Sequence, residues 1–422
     1  MTVTTTAASP AGQPPAALRP ETLGGYARTY AARIRGGDIG SLPAVLGLVV
    51  LCVIFAVVRP VFLTTGNFAN LFLQGAQVTL IAMGLVFVLL VGEIDLSAGF
   101  TSGLCASVAA VLLTTHGMPW FLAVAAALAT GAVVGLLLGT FVAKVGIPSF
   151  VVTLAGFLGF QGIMLMIIKG GTIIPVNDSV IVAIANRNMP PWLGWALTLL
   201  GIAGFAAVQL VSHRRRIARG LVAPPLAVVL VRIGVLAAVL GFAVFVLNLE
   251  RSRNPAIVSL KGVPIVVPLI AVLLIAGTFL LNRTRFGRHL YAVGGNREAA
   301  RRAGINVDRI RISAFVICST MAAVAGVVAA SRSNSVDATT GGSDVLLLAV
   351  GAAVIGGTSL FGGKGRVVNA VIGGAVVAVI NNGMGLMGYS AGVKFAVTGS
   401  VLLLAAGVDA LSRRRAVATG TR

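Results

Sequence analysis

The chain has 422 residues, of which 57% are hydrophobic and only 10% charged, and its formal net charge is +21. A soluble domain carries about a quarter of its residues as charged side chains, so this composition excludes a water-soluble fold. The basic residues stand between long apolar runs and form no patches interleaved with aromatic residues. This distribution argues against nucleic-acid binding and indicates a membrane protein.

The first 41 residues are rich in Thr, Ala, Pro and Gly, a composition typical of disordered segments. They contain no short apolar core of the kind that a cleaved signal peptide has. Arg28, Arg33 and Arg35 precede the first apolar run, and basic residues favour the cytoplasmic side. The sequence therefore predicts a disordered cytoplasmic tail over residues 1–41.

Twelve apolar runs follow, most of them within the range of about 17–25 residues that a membrane-crossing helix needs. They predict an all-α integral membrane protein, a polytopic bundle of about 10–12 spans within residues 42–411. A basic cytoplasmic tail is predicted over 412–422. The run at 345–355 is too short to cross comfortably and is expected to be broken or re-entrant. The runs are 42–58, 69–91, 98–115, 120–143, 148–168, 192–211, 226–247, 264–281, 310–330, 345–355, 367–387 and 392–410.

Charge alternates along these runs. With the N-terminus in the cytoplasm, alternation places both termini and most basic loops on the cytoplasmic side. One loop disagrees: residues 250–261 are assigned to the exterior but carry Arg251, Arg253 and Lys261. The basic residues assigned to the cytoplasm are Arg214, Arg215, Arg216, Arg219, those of segment 282–311, Lys364, Arg366, Arg413, Arg414 and Arg415.

The sequence GEIDLSAG at residues 92–99, here called the first polar junction, separates two long apolar runs. It holds Glu93, Asp95 and Ser97 in a chain with only 11 acidic residues. A carboxylate at membrane depth is costly and normally faces a cavity, a cation or a helix end. These residues therefore either line a translocation path or form a tight cytoplasmic turn in which Asp95 caps the next helix.

A second polar junction, IGGTSLFGGKG at residues 355–365, has some of the same spacing. It is not a phosphate-binding loop, because Lys364 is followed by Gly365 instead of Ser or Thr. The sequence therefore encodes no nucleotide site, and no catalytic residue, cofactor or metal site is predicted. The matching positions, at a constant offset, are Gly92, Leu96 and Gly99 with Gly356, Leu360 and Gly363.

Among the amides within apolar runs, three are candidate site residues: Asn381 and Asn382 in the run 367–387, and Gln161 in the run 148–168. Buried amides in a membrane need hydrogen-bond partners, which another helix or a water-filled path can supply. Amides also pair well with hydroxyl-rich solutes. The residues are therefore candidates for a translocation path, with helix–helix hydrogen bonding as the alternative.

The charged segment, residues 282–311, carries a local helix pattern between two apolar runs. Asn296 can cap a short helix, Glu298 falls in its first turn, and Gly304 can end it. The pattern predicts a capped polar helix that a soluble partner holds. The alternative is a solvated linker helix.

Six motifs in fixed order carry a resemblance over about residues 62–409. They resemble those of monosaccharide permeases from bacterial ATP-binding cassette (ABC) importers, the ribose, galactose and xylose permeases. The acidic residue at 93, the basic loop 213–220 and KGVP at 261–264 are most similar to the xylose branch. The motifs are GEIDLSAG (92–99), IPSFVVTLAG (147–156), FGRHLYAVGGNREAARRAGINVDR (286–309), VIGGTSLFGGKG (354–365), NNGM (381–384) and LLLAAGVD (402–409).

This resemblance implies a multi-pass permease subunit in the cytoplasmic membrane that imports xylose or a similar sugar. It implies three partners: an ATPase that supplies ATP hydrolysis, an extracytoplasmic sugar-binding protein, and a second permease copy. The ATPase would dock on Asn296, Glu298, Ala299, Ala300 and Gly304, which match the family's coupling pattern.

Three other functions remain open at this point. An ion-coupled secondary sugar transporter would use Glu93 and Asp95 as coupling carboxylates. A permease for branched-chain amino acids would share the architecture but not the substrate. A structural membrane scaffold would leave the charged segment without a role.

Overall fold

The computed structural model describes residues 24, 25, 28, 40–169, 171–221, 223–252 and 254–418. Most of the tail predicted over 1–41, and residues 419–422 of the tail predicted over 412–422, lie outside the described residues. The last helix continues to Ala418, so the boundary predicted at residue 411 falls within that helix.

The described residues form fifteen α-helices and almost no sheet. In chain order the first eight are α1 (Leu42–Val58), α2 (Thr65–Leu90), α3 (Ala98–Thr114), α4 (Trp120–Thr140), α5 (Ser149–Ile167), α6 (Ser179–Asn186), α7 (Pro191–Ala218) and α8 (Leu226–Asn248). The others are α9 (Val266–Arg283), α10 (Arg285–Gly295), α11 (Arg297–Arg302), α12 (Val307–Ser333), α13 (Ser343–Ile355), α14 (Val367–Leu386) and α15 (Ala391–Ala418). A 3₁₀ turn (Pro60–Leu63) precedes α2, a π-helical turn (Phe141–Val145) extends α4, and β1 (Ile174–Pro175) pairs antiparallel with β2 (Ser335–Val336).

The prediction of a polytopic all-α membrane protein is confirmed. In the described part of the chain, eight helices are long and apolar enough to cross a membrane, and four shorter apolar helices accompany them. Helix α13 has only 13 residues, which at about 1.5 Å per residue falls well short of a bilayer core of about 30 Å. The short run at 345–355 is therefore a helix that cannot cross by itself.

Two helices begin earlier than their apolar runs indicate, because polar residues cap them. Helix α2 begins at Thr65 because the Thr64 hydroxyl accepts a hydrogen bond from the Asn67 N–H at 3.4 Å. Helix α12 begins at Val307 because the Asn306 side chain accepts from the Arg309 N–H at 3.0 Å. Hydropathy alone misses such first turns, since their residues are polar.

Helix α12 is the centre of the bundle and packs against α2, α3 and α4. Glycines four residues apart on α4 let its backbone approach α12 closely. A Cβ on Gly135 would lie 2.5 Å from the Val316 Cα, and one on Gly131 would lie 2.6 Å from the Ser319 carbonyl oxygen. The glycine spacing thus serves helix packing.

Polar structure collects at the two ends of the bundle. At one end lie β1, β2 and α6, where Ser331 at the end of α12 accepts a hydrogen bond from the Ala185 N–H at 2.9 Å. At the opposite end both polar junctions meet the charged segment, and the Gly363 N–H donates to the Leu90 carbonyl at 2.9 Å. We refer to this second end as the junction end.

In the loop between α8 and α9, which is the exception in the charge pattern, Arg251 has backbone partners. The Arg251 guanidinium donates to the backbone carbonyls of Leu247 and Gly262, so this cation closes the loop. Hydrogen bonds to Glu250 from the N–H groups of Ser252 and Leu260 and the hydroxyl of Ser259 lower the pKa of the Glu250 carboxyl to about 2. Arg251 therefore has a local structural role in this loop.

We predict that Gly135→Ala lowers the melting temperature of the purified protein. The added methyl meets backbone atoms of α12 that cannot move aside, and overpacking of this kind costs about 1–3 kcal/mol. The expected shift is at least about 3 °C in a thermal unfolding experiment in detergent. Gly201→Ala on α7 is the control, since nothing lies within 4 Å of its added methyl. Equal melting temperatures for the two variants would contradict this account of the packing.

Candidate functional site

The charged segment contains the short helix that its sequence predicts. The Asn296 side chain accepts a hydrogen bond from the Ala299 N–H at 3.0 Å, which confirms the predicted N-cap of α11. Gly304 has φ +79°, and the Ile305 N–H donates to the Ala300 carbonyl at 3.1 Å, so the helix ends there.

Burial shows how α11 sits on the bundle. Ala300 is buried at 4% exposure, whereas Asn296, Glu298, Ala299 and Gly304 are exposed. Glu298 forms an exposed ion pair with Arg301 at 3.2 Å, which contributes little to stability. Ala300 is thus the buried residue of α11, and most of the remaining surface of the helix is exposed.

Glu93 of the first polar junction is buried against this segment. Its Oε1 accepts from Arg297 Nη2 at 2.5 Å and from Arg311, with Nη2 at 2.7 Å and Nε at 2.9 Å. The Glu93 side chain is only 6% exposed, and that of Arg311 only 13%. Arg297 also donates to the Val91 carbonyl at 3.1 Å. The costly carboxylate therefore has two cationic partners.

Asp95 and Ser97 form a fully buried turn before α3. Asp95 Oδ1 accepts from the Ser97 N–H at 2.8 Å and from the Ser97 hydroxyl at 2.7 Å. The turn also contacts α5, because the Ile94 N–H donates to the Ser149 hydroxyl at 3.3 Å. The first polar junction is thus a tight turn, as one of the two interpretations predicts, but Ser97 and not Asp95 is the N-cap residue of α3.

The two adjacent amides of α14 have different surroundings. Asn382 is buried and exchanges hydrogen bonds with Asn67 on α2, at 2.8 and 2.9 Å, and donates to Gln74 at 3.3 Å. Asn381 instead lines a cavity of about 220 Å³ together with Gln74 and Arg332. Arg332 lies near the end of α12 opposite the junction end, so this cavity lies toward that opposite end.

The six residues predicted to line a path therefore lie in different parts of the bundle. Glu93, Asp95 and Ser97 lie at the junction end, and Asn381 and Asn382 lie toward the other end. Gln161 is half-buried on α5 and does not line the cavity.

Sequence reasoning missed Gln74 and Arg332 at this cavity, and Arg311 beside Glu93. An amide within the apolar run of α2 was a signal that could have identified Gln74. Arg311 carried no such signal, because arginines are common throughout the charged segment.

A polytopic helical bundle with polar groups buried among its helices, and one capped helix exposed at its junction end, has the construction of a membrane permease. Comparison with known proteins agrees. The family described as branched-chain amino acid transport system / permease component matches residues 67–406. No solved structure matches the chain at a significant level.

Curated relatives match over most of their length. The xylose transport system permease protein XylH of Escherichia coli K12 is 38% identical over 84% of this chain and 87% of the relative. XylH of Haemophilus influenzae is 33% identical over 84% and 91%. The ribose import permease protein RbsC of E. coli K12 is 31% identical over 87% and 92%. The chain belongs to this family of multi-pass transport permeases, as its motifs predicted.

Proposed function

We propose that this chain is the membrane-spanning subunit of an ABC importer that carries xylose or a similar monosaccharide across the cytoplasmic membrane. The observation that carries the proposal is α11, a capped helix with one buried residue and an exposed remainder, placed where two polar junctions meet. The relatives named for xylose and ribose transport support a sugar as substrate. The same relatives favour a sugar over a branched-chain amino acid.

The driving force is proposed to come from a separate ATPase subunit that binds the exposed surface of α11. Asn296, Glu298, Ala299 and Gly304 would contact the ATPase, and Ala300 would anchor the helix to the bundle. In this arrangement the junction end and both termini face the cytoplasm, in agreement with the positive-inside rule. An extracytoplasmic sugar-binding protein and a second copy of this chain complete the proposed importer.

The cavity beside Asn381 is proposed as part of the sugar path. Amide and guanidinium groups donate hydrogen bonds to sugar hydroxyls. Asn381, Gln74 and Arg332 supply such groups, and the buried bonds from Asn382 to Asn67 and Gln74 hold the wall in place. Gln161, away from this cavity, is retained only as a predicted path residue.

The geometry of Glu93 argues against its use as a coupling carboxylate in ion-coupled transport. A coupling carboxylate must gain and lose its ion as the protein changes conformation. Glu93 is held by two guanidinium groups, and Asp95 is hydrogen-bonded within a closed turn. The Glu93 carboxylate is therefore not free to exchange an ion.

We predict that wild-type protein, reconstituted in liposomes with its ATPase and binding protein, accumulates xylose only when ATP is present. Gly304→Val should reduce the amount of co-purified ATPase and the uptake by up to about tenfold. A β-branched residue at φ +79° strains the end of α11 by more than about 1 kcal/mol, and about 1.4 kcal/mol is a factor of ten.

Gly220→Val is the matched control for this variant, because Gly220 also has a left-handed φ of +64° and open space around it. It should bind ATPase as wild type does. ATP-independent uptake by the wild-type protein, or full ATPase binding by Gly304→Val, would contradict the proposed function.

We predict that Asn381→Leu raises the KM for sugar uptake by up to about tenfold. The substitution removes a hydrogen-bonding amide, and one such bond contributes about 0.5–1.5 kcal/mol. The measurement is the concentration dependence of uptake in the reconstituted importer, with Gln209→Leu on the peripheral helix α7 as the control. An unchanged KM for Asn381→Leu would exclude this cavity from the path.

A further inference from the structure

Glu93 joins the two flanks of α11. Arg297, which it binds at 2.5 Å, is the first residue of α11, and Arg311, which it binds at 2.7 Å, lies in the next helix, α12. Glu93 itself lies between α2 and α3. One carboxylate oxygen thus connects the junction between α2 and α3 to α11, on which the proposed ATPase would act, and to α12, the helix that follows α11.

The second polar junction contacts the same segment through α10. A Cβ on Gly294, near the end of α10, would lie 1.7 Å from the Leu90 carbonyl oxygen and 2.8 Å from the Gly363 N atom. The Tyr291 hydroxyl donates to the Gly365 carbonyl at 2.7 Å. The charged segment therefore touches both polar junctions within a few residues of α11, and Glu93 is the buried carboxylate of this contact.

The two arginine partners of Glu93 differ in how far their side chains are exposed. The Arg311 side chain is 13% exposed, whereas that of Arg297 is 44% exposed. A buried pair is held strongly because loss of one partner leaves an uncompensated charge, whereas a half-exposed pair adjusts more easily. The Glu93–Arg311 ion pair therefore fixes the first polar junction to α12, whereas the Glu93–Arg297 ion pair can adjust when α11 moves.

We propose that Glu93 is the positioning residue that transmits displacement of α11 to the first polar junction, and so to α2 and α3. This inference rests on the proposed function. Without the carboxylate, the ATPase still docks on the exposed face of α11, but the junction no longer follows that helix. ATP hydrolysis then continues with less sugar transported per ATP. Glu93 itself touches neither sugar nor nucleotide.

The test is Glu93→Gln in the complete importer reconstituted in liposomes. Glutamine keeps the size of the side chain and removes its charge. The readout is the number of sugar molecules transported per ATP hydrolysed, at equal amounts of assembled complex. We expect this ratio to fall at least about fivefold while ATPase co-purification stays at the wild-type level. Asp178→Asn, the same carboxylate-to-amide change in the cap of α6 at the opposite end, is expected to leave the ratio unchanged.

A purely structural Glu93 would behave differently: the variant would yield less complex, but the surviving complex would keep the wild-type ratio. That result, or a wild-type ratio at full yield, overturns the inference. If the Glu93→Gln variant does not assemble into the importer, Glu93→Asp is the variant to measure. The shorter aspartate side chain keeps the charge but cannot reach the guanidinium groups of both Arg297 and Arg311. A lowered ratio for Glu93→Asp supports the inference, and an unchanged ratio overturns it.

Uptake by the wild-type importer distinguishes a failure of this inference from a failure of the proposed function. Absence of ATP-driven uptake by the wild type would contradict the proposed function itself. Normal wild-type uptake with an unchanged ratio in the Glu93 variants would contradict only the role of Glu93.

Discussion

The contact of one buried carboxylate with two arginines joins the apolar bundle to its polar end. Glu93 lies in a chain with only 11 acidic residues, and its burial is tolerable because Arg297 and Arg311 both bind it. The two polar junctions, the end of α10 and the start of α12 all lie within reach of it.

The rest of the bundle supplies the rigid body that such a contact needs. Close packing of α4 on α12 through Gly131 and Gly135 fixes the central helix relative to its neighbours. The exchange of hydrogen bonds between Asn382 and Asn67 ties α14 to α2 at the other end. Under the proposal, a displacement applied at α11 would pass to whole helices through these contacts.

Local features of the structure were predictable from sequence, and long-range pairings were not. The cap at Asn296 and the end at Gly304 depend on residues within one or two turns, so their pattern identified α11 correctly. Glu93 and Arg311 are separated by 218 residues, and no spacing rule relates them. Sequence reasoning could state that Glu93 needs a partner but could not choose among many arginines.

The adjacent amides of α14 show the same limit. Neighbouring residues on a helix point about 100° apart, so Asn381 and Asn382 have largely different neighbours. Which amide faces α2 and which faces the cavity depends on Asn67 and Gln74, residues more than 300 positions away.

The most direct test of the account asks which side of the membrane α11 faces and whether an ATPase covers it. A single cysteine at Ala299, in a background without Cys52, Cys105 and Cys318, can be treated with a membrane-impermeant maleimide. The account predicts labelling in inside-out vesicles, no labelling in intact spheroplasts, and protection when the purified ATPase subunit is added. Labelling from the external side, or labelling that the ATPase leaves unchanged, would contradict the claim that a separate motor binds this helix.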